Sequence, residues 1–315
     1  LKTLIHLVEC RKKYGRPVDV KRMFMKAVFL RHCIDDYKPD ILHLHGADNI
    51  VYFPIIPEEV KIIMTRHGKV GGDDNIKDSN LYALFERDCC KNPRISKLYF
   101  ISSQLVEDYN AYYGGIQSEV EVILNAYDSD NFYYIQHKKS EKPVLITIAS
   151  LSELKGQERV LKAIAGSKLQ CKYICIGSDS HGLDEQLRHF AKENGIDYSY
   201  VGTKKPSEIR ELLALADFMI MPSSSEGFGL VYIESIACGV PVVLPKNLPI
   251  VKEKAIIRPE ANAVLLGDCS VDSISVFLDN ISSYSFDHES VAKTVSVYSW
   301  ANIANQYINS IKEII

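Results

Sequence analysis

Short apolar runs alternate with amphipathic stretches along nearly the whole chain. In the first half, 41–45 (ILHLH), 61–65 (KIIMT), 98–102 (LYFIS) and 120–124 (VEVIL) read as strands, with helical periodicity over 20–37 and 81–91. A second series places strands at 144–149, 173–177, 198–202, 218–222 and 240–244. Helices fall between those at 156–166, 183–194, 206–214 and 230–238. Regular strand–helix alternation predicts parallel sheets covered on both faces. The near-continuous apolar character of VLITIA and FMIMP fits strands buried on both sides. Between the two series, 136–143 (QHKKSEKP) is polar and charged and ends in proline, as an interdomain linker would. The pattern therefore predicts an α/β protein of two doubly wound, Rossmann-like domains facing a cleft, divided near residue 140. Ligand-binding residues are expected just beyond the carboxyl ends of strands. The chain shows no internal repeat.

Length agrees with this division: 315 residues at about 150 per domain gives two. A hydrophobic fraction of 46% and a charged fraction of 24% exclude general disorder. Lys and Arg number 37 against 40 Asp and Glu, a net of −3, which argues against a nucleic-acid partner. No apolar run approaches the roughly 18 residues that span a bilayer, and no signal-peptide pattern opens the chain, so a cytoplasmic protein is expected. The net charge conceals a local one. Residues 1–31 hold nine Lys or Arg against Glu9 and Asp19, a net of +7. The stretch 20–37 adds Met23, Phe24, Met25, Phe29 and Leu30, so peripheral contact with an anionic membrane is one reading. A half-buried helix with a basic outer face is the other. Cysteines at 10, 33, 89, 90, 171, 175, 238 and 269 do not form a disulfide framework, and Cys171 and Cys175 read as core residues of a strand.

The chemistry concentrates in 216–243 (ADFMIMPSSSEGFGLVYIESIACGVPVV). This is a buried strand, a small polar loop, and a glycine-flanked turn that opens a helix. Gly227 and Gly229 permit close backbone approach to a ligand. The amides of Phe228, Gly229 and Leu230 fall at a helix N-terminus, where unpaired donors and the dipole favour phosphate. Glu226 precedes the turn and Glu234 lies about one helical turn beyond it. Carboxylates there suit sugar hydroxyls, which they bind by charge-assisted hydrogen bonds.

This segment resembles the signature of family-4 glycosyltransferases, retaining enzymes with the GT-B fold that use nucleotide-sugar donors. Glu226 and Glu234 stand at the two glutamates of the family's E-x7-E motif. The resemblance implies that Glu234 binds donor ribose, that Glu226 acts beside the transferred sugar, and that Phe228, Gly229 and Leu230 offer amides to sugar and diphosphate. IASLSELKGQERVLKAI (148–164) is similar to the family's strand, turn and K-G helix start. There Lys155 would neutralise diphosphate, while Ser150 stands where the family usually has an arginine with the same task. VILNAYDSDNF (122–132) matches at Asn125, Asp128 and Phe132, with Ala126 for the usual glycine. PEANAVLL (259–266) resembles a pre-helical segment, and Tyr298-Ser299-Trp300 a terminal helix in which Trp300 packs into the core. PDILHLHG (39–46) resembles the strand that ends in a histidine, so His45 would contact the donor sugar. His43 should point to the same side of that strand. RHGKVGGDDN (66–75) puts Arg66 and His67 on the acceptor side, with Gly68, Gly71 and Gly72 in a loop over the acceptor.

The resemblance implies three parts: an acceptor-side domain over 1–139, incomplete at its start; a nucleotide-sugar domain over 140–297; and a helix over 298–315 that packs back across the junction. The implied partners are a nucleotide-sugar donor and a glycan or lipid-linked acceptor, in surface-polysaccharide assembly. The implied enzyme is of hexosyltransferase type and uses no metal or other cofactor. Three rivals stand beside it. Asp128–Asp130 (DSD) imitates the D-x-D metal site of the other large glycosyltransferase fold. His43, His45 and His67 could make a zinc hydrolase. Only 44 residues precede His45, with Gly15 the single glycine among them, where the family has a strand and a glycine-rich loop. A truncated, non-catalytic partner-binding homologue is therefore the third.

Overall fold

A computed structural model describes residues 20–67 and 79–315. The basic stretch before residue 20 and the loop bearing Gly68, Gly71 and Gly72 lie outside the described residues. The chain forms two compact units, one of Leu1–Leu124 with Gln306–Ile315 and one of Asn125–Asn305.

The first unit runs α1 (Val20–Tyr37), β1 (Ile41–His45), a 3-10 segment (Ala47–Ile55), β2 (Lys61–Arg66), α2 (Ser79–Cys90), β3 (Ile95–Phe100), α3 (Ser103–Tyr113) and β4 (Glu119–Val122). Its four strands are parallel and lie in chain order, β1-β2-β3-β4. The inner strands carry the core: Ile62, Ile63 and Met64 are wholly buried. Helix α3 is absent from the elements predicted above. Its buried residues are Leu105, Tyr109 and Tyr113, a stripe one residue wide at four-residue spacing, set in a polar run that hides the period. The Ser102 hydroxyl caps it, accepting from the Leu105 amide at 3.2 Å, and left-handed Gly114 ends it.

The second unit holds β5 (Val144–Ile148), α4 (Gln157–Gly166), β6 (Lys172–Ile176), α5 (Leu183–Glu193), β7 (Asp197–Tyr200), α6 (Pro206–Leu213) and β8 (Phe218–Ile220). It continues with α7 (Leu230–Ala237), β9 (Val242–Pro245), α8 (Pro249–Lys252), β10 (Ala263–Leu266), α9 (Val271–Asp279) and α10 (His288–Lys293). Its six parallel strands lie in the order β10-β9-β8-β5-β6-β7. The central strands are almost wholly apolar because helices cover both faces, and the one exception, Thr147, is buried with its hydroxyl bonded to Tyr173 OH at 2.8 Å. The PEANAVLL stretch contributes β10, directly ahead of helix α9, in keeping with a pre-helical segment. The polar stretch 136–143 has no regular structure and counts with this unit.

The last helix, α11 (Trp300–Lys312), belongs to the second unit up to Asn305 and to the first from Gln306. Its end is bound to the first sheet by polar contacts: buried Lys97 Nζ donates to Ser310 Oγ at 3.1 Å, and Tyr99 OH meets the same hydroxyl at 2.8 Å. Trp300 is 48% exposed, which corrects its expected place in the core. The seven described cysteines are free, and Cys171 and Cys175 are buried on and beside β6.

Candidate functional site

The strand order of the second unit determines where a ligand can bind. From β5 the chain builds outward through β6 to β7, then returns to the other flank of β5 with β8 and builds through β9 to β10. Strands β5 and β8 pair in parallel, Leu145 opposite Phe218. The connections leaving their carboxyl ends diverge, which is the topological switch point where α/β sheets bind ligands. Ser150 and Lys155 follow β5, and Glu226 through Leu230 follow β8.

The two loops are knitted together. The Ser224 amide donates to the Leu154 carbonyl at 2.9 Å. Arg159 donates through Nη2 to the Pro222 carbonyl and through Nη1 to the Glu153 carbonyl, each at 2.8 Å. A Cβ at Gly156 would come within 2.9 Å of the Pro222 carbonyl oxygen, so only glycine allows this approach. Across the join, Lys155 Nζ donates to Glu226 Oε1 at 2.6 Å, with the two side chains 20% and 9% exposed. Arg159, one helical turn after Lys155, carries no motif signal in the sequence and is marked out only by these contacts.

Helix α7 opens at Gly229, whose φ is +83° and where a Cβ would lie 2.6 Å from the Tyr232 ring. Tyr232 is fixed in turn, donating its hydroxyl to the Met221 carbonyl at 2.9 Å. Tyr232 thus holds the loop to the strand and its amide donates to the Gly229 carbonyl at 3.0 Å, while the Gly229 and Leu230 amides lie ahead of the first intrahelical acceptor. The Phe228 ring is buried, so this residue offers only its backbone, and Leu230 is 39% exposed. Glu234 lies one turn into α7 and is half-buried. Burial, then the charge of Asp128, raises its pKa to about 7. Asp128 accepts from the Asp130 amide at 3.0 Å and the Asn131 side chain at 2.6 Å, which makes it the cap of a local turn. Asn125 is half-buried ahead of that turn, and Ser150 is exposed at the end of β5.

The first unit gathers the histidines. His43 and His45 lie on one side of β1, as strand alternation requires, with ring centroids 4.4 Å apart. His45 Nδ1 meets His67 Nε2 at 2.8 Å, and His43 Nε2 meets the Thr65 hydroxyl at 2.7 Å. Desolvation, then neighbouring charge, lowers His43 and His67 to about 4, and desolvation lowers His45 as well. The three rings are therefore neutral near pH 7. They bond to one another and to Thr65 rather than converging on a point, which removes the ligand set of a zinc hydrolase. Arg66 is a correction to the acceptor-side expectation. Its side chain is 1% exposed and ion-paired to buried Glu86, with a 2.8 Å hydrogen bond to Tyr109 OH. It is a core group, and its signal was hidden because its partners come from α2 and α3.

Comparison with known proteins bears on the same segments. Residues 129–284 match the family model for glycosyl transferases group 1. An uncharacterized glycosyltransferase of Methanocaldococcus jannaschii is 24% identical over 89% of this chain and 76% of its own length. The N-acetyl-alpha-D-glucosaminyl L-malate synthase of Bacillus anthracis is 28% identical over 65% of this chain, which spans 56% of that protein. The HepE protein of Anabaena, solved in complex with UDP, superposes with a TM-score of 0.71 over 91% of this chain and 82% of its own, at 17% identity. That likeness concerns the fold. Residues 129–284 thus carry a glycosyl transferases group 1 domain, and the fold is that of GT-B glycosyltransferases.

Proposed function

We propose that the protein is a retaining glycosyltransferase that moves a sugar from a nucleotide-sugar donor to a glycan or lipid-linked acceptor in surface-polysaccharide assembly. The observation that carries this reading is the meeting of Lys155 and Glu226 at the switch point, 2.6 Å apart beside the amides that open α7. Donor diphosphate would compete for the Lys155 ammonium and accept from the Gly229 and Leu230 amides. That frees Glu226 for hydroxyls of the transferred sugar, while Glu234 accepts from the ribose. Asn125, Ser150 and Phe228 complete the donor side. His45 and His67, neutral imidazoles on the first unit, serve the reacting sugar and the acceptor as hydrogen-bonding groups rather than as cations.

In the reaction, the bond from the anomeric carbon to the diphosphate oxygen breaks and a bond to the acceptor oxygen forms on the same face. The acceptor proton passes to the departing phosphate. Lys155 and the helix-start amides stabilise the charge that develops there. No metal is required in this scheme, so activity should survive EDTA. The HepE complex makes UDP-sugars the first donors to test. Thermal shift against a panel of nucleotide sugars should find one that stabilises the protein by mass action. Transfer assays with that donor should then fail in Glu226→Ala. If no nucleotide sugar shifts the melting curve, the donor site is misassigned.

The exposed face of α1 supports peripheral membrane contact, and with it a cytoplasmic protein at the inner membrane face. Met25 and Phe29 are 62% and 70% exposed, on the side opposite buried Ala27 and Ile34, with Arg22 and Lys26 beside them. No helix among the described residues is long and apolar enough to cross a membrane. Sedimentation with phosphatidylglycerol-containing vesicles should exceed that with phosphatidylcholine alone, and Met25→Ser with Phe29→Ser should abolish the difference.

A further inference from the structure

The second unit brings three further ligating side chains together at the amino-terminal ends of its strands, the end opposite Lys155 and Glu226. His137 lies in the polar stretch ahead of β5, Asp217 immediately precedes β8, and His288 begins α10. One ligating atom from each lies within 4.8 Å of the others. The segments are separated by 80 and 71 residues, so this is a tertiary cluster with no sequence motif.

The details fit an ion better than they fit a set of direct hydrogen bonds. His137 Nε2 stands 3.4 Å from Asp217 Oδ1. That exceeds the about 2.7–2.9 Å of a charge-assisted hydrogen bond. It matches the separation of two ligands each about 2.0–2.2 Å from a tetrahedral metal. Asp217 is already oriented, since its Oδ2 accepts from the Val144 amide at 2.7 Å, which leaves Oδ1 facing the histidines. His288 is oriented too: its Nδ1 meets the Gly239 carbonyl at 2.8 Å. Nδ1 must therefore carry the proton, and Nε2 presents its lone pair. Ligating histidines are held in this way, by an outer N–H donated to a backbone carbonyl. His137 Nδ1 is buried without a hydrogen-bond partner. The His137 and His288 rings are stacked, with centroids 3.8 Å apart and planes 11° from parallel. Metal bonds lie in the plane of an imidazole, so a shared ion requires one ring to turn. His288 is fixed by its 2.8 Å bond to the Gly239 carbonyl, so His137, whose Nδ1 makes no such close bond, is the ring that would turn.

We propose that His137, Asp217 and His288 form a zinc site that clips the segment before β5 to the base of the second sheet. Two imidazoles and one carboxylate suit Zn2+ and exclude Mg2+ or Ca2+, which take oxygen ligands; water supplies the fourth position. The site stands apart from the donor residues and has a structural role, so it leaves the metal independence of transfer untouched.

The test uses the whole chain, stripped with a chelator and titrated with ZnCl2. One equivalent should bind and raise the melting temperature. His288→Gln and Asp217→Asn should each weaken binding at least 100-fold, while His45→Gln, which alters the other histidine group, should leave it unchanged. Co2+ should give the d–d absorption of a tetrahedral site in the parent protein and lose it in both variants; this readout does not depend on their stability. Equal zinc responses in parent and variants, no response in any, or loss only in His45→Gln would each overturn the assignment.

Discussion

Two cation–carboxylate pairs stand at or just beyond the carboxyl ends of parallel strands, Arg66–Glu86 in the first unit and Lys155–Glu226 in the second. Their surroundings differ. Arg66 and Glu86 are 1% and 0% exposed, and the Glu86 carboxylate also accepts from the hydroxyls of Tyr109 and Tyr113. Its oxygens are fully used in tying α2 and α3 to β2. Lys155 and Glu226 share one contact, and Glu226 Oε2 makes no hydrogen bond among the described residues. An ammonium has three donors and here commits one of them to Glu226. A pair with every acceptor filled serves the frame. A pair with donors and lone pairs in reserve can be opened by a ligand.

The largest expected effect separates stability from activity. Glu86→Ala leaves the Arg66 guanidinium buried without its carboxylate and should cost about 3–5 kcal/mol. That is a large part of the roughly 5–15 kcal/mol that holds a domain folded. The urea midpoint should fall steeply, while turnover per folded molecule changes little. A variant with an unchanged midpoint and lost turnover would move Glu86 to the site and erase the contrast.

Glu226→Ala should do the reverse. Turnover should drop by about 10²–10³-fold, as when one group that acts on the transition state is removed. The urea midpoint should move by no more than about 1 kcal/mol, because the pair is partly solvated. Single-turnover kinetics with saturating donor would distinguish loss of chemistry from loss of binding. An effect confined to KM would reassign Glu226 to uniform donor binding.

How far the sequence alone reached follows the same line. The positions of Glu226 and Glu234, the strands that carry them and the parallel architecture were legible, because strand–turn–helix chemistry is local and its spacing is printed in the chain. Arg66 was misread because burial is decided by Glu86, Tyr109 and Tyr113, which are 20, 43 and 47 residues away. Helix α3 was missed because its core stripe is narrow and partly tyrosine. The meeting of His137, Asp217 and His288 had no local signal at all, since each lies at the edge of a different element.

A third prediction sharpens the active pair through pH. Glu234 has an ordinary pKa of 4.5 and is raised to about 7 in the folded chain, first by burial and then by Asp128. An acid so raised holds its proton more tightly folded than unfolded. The folded state is therefore favoured below pH 4.5, and that contribution is lost as pH rises through about 7. Ribose hydroxyls donate best to the ionised carboxylate, so KM for the donor should fall as pH rises through the same interval. Glu234→Gln should raise KM about tenfold, the loss of one charge-assisted bond, and flatten the profile. A profile that persists in Glu234→Gln would place the titration elsewhere.

The smallest expected effect concerns the frame behind Lys155 and Glu226. Arg159 hydrogen-bonds to the Glu153 and Pro222 carbonyls rather than to Lys155 or Glu226, and so holds both loops at a common distance. It is a positioning residue. Arg159→Lys keeps the charge but loses the fork that reaches two carbonyls at once. The loops then rely on the Ser224 amide and the close approach of Gly156 to Pro222. Small displacements of a bound geometry reach the chemical step, so kcat should fall about 3- to 10-fold, while the midpoint of unfolding holds. In Glu226→Ala the same Lys substitution should have little further effect on kcat, because there is no longer a carboxylate to place. Additive losses in the double variant would mean that Arg159 acts through something other than this pair.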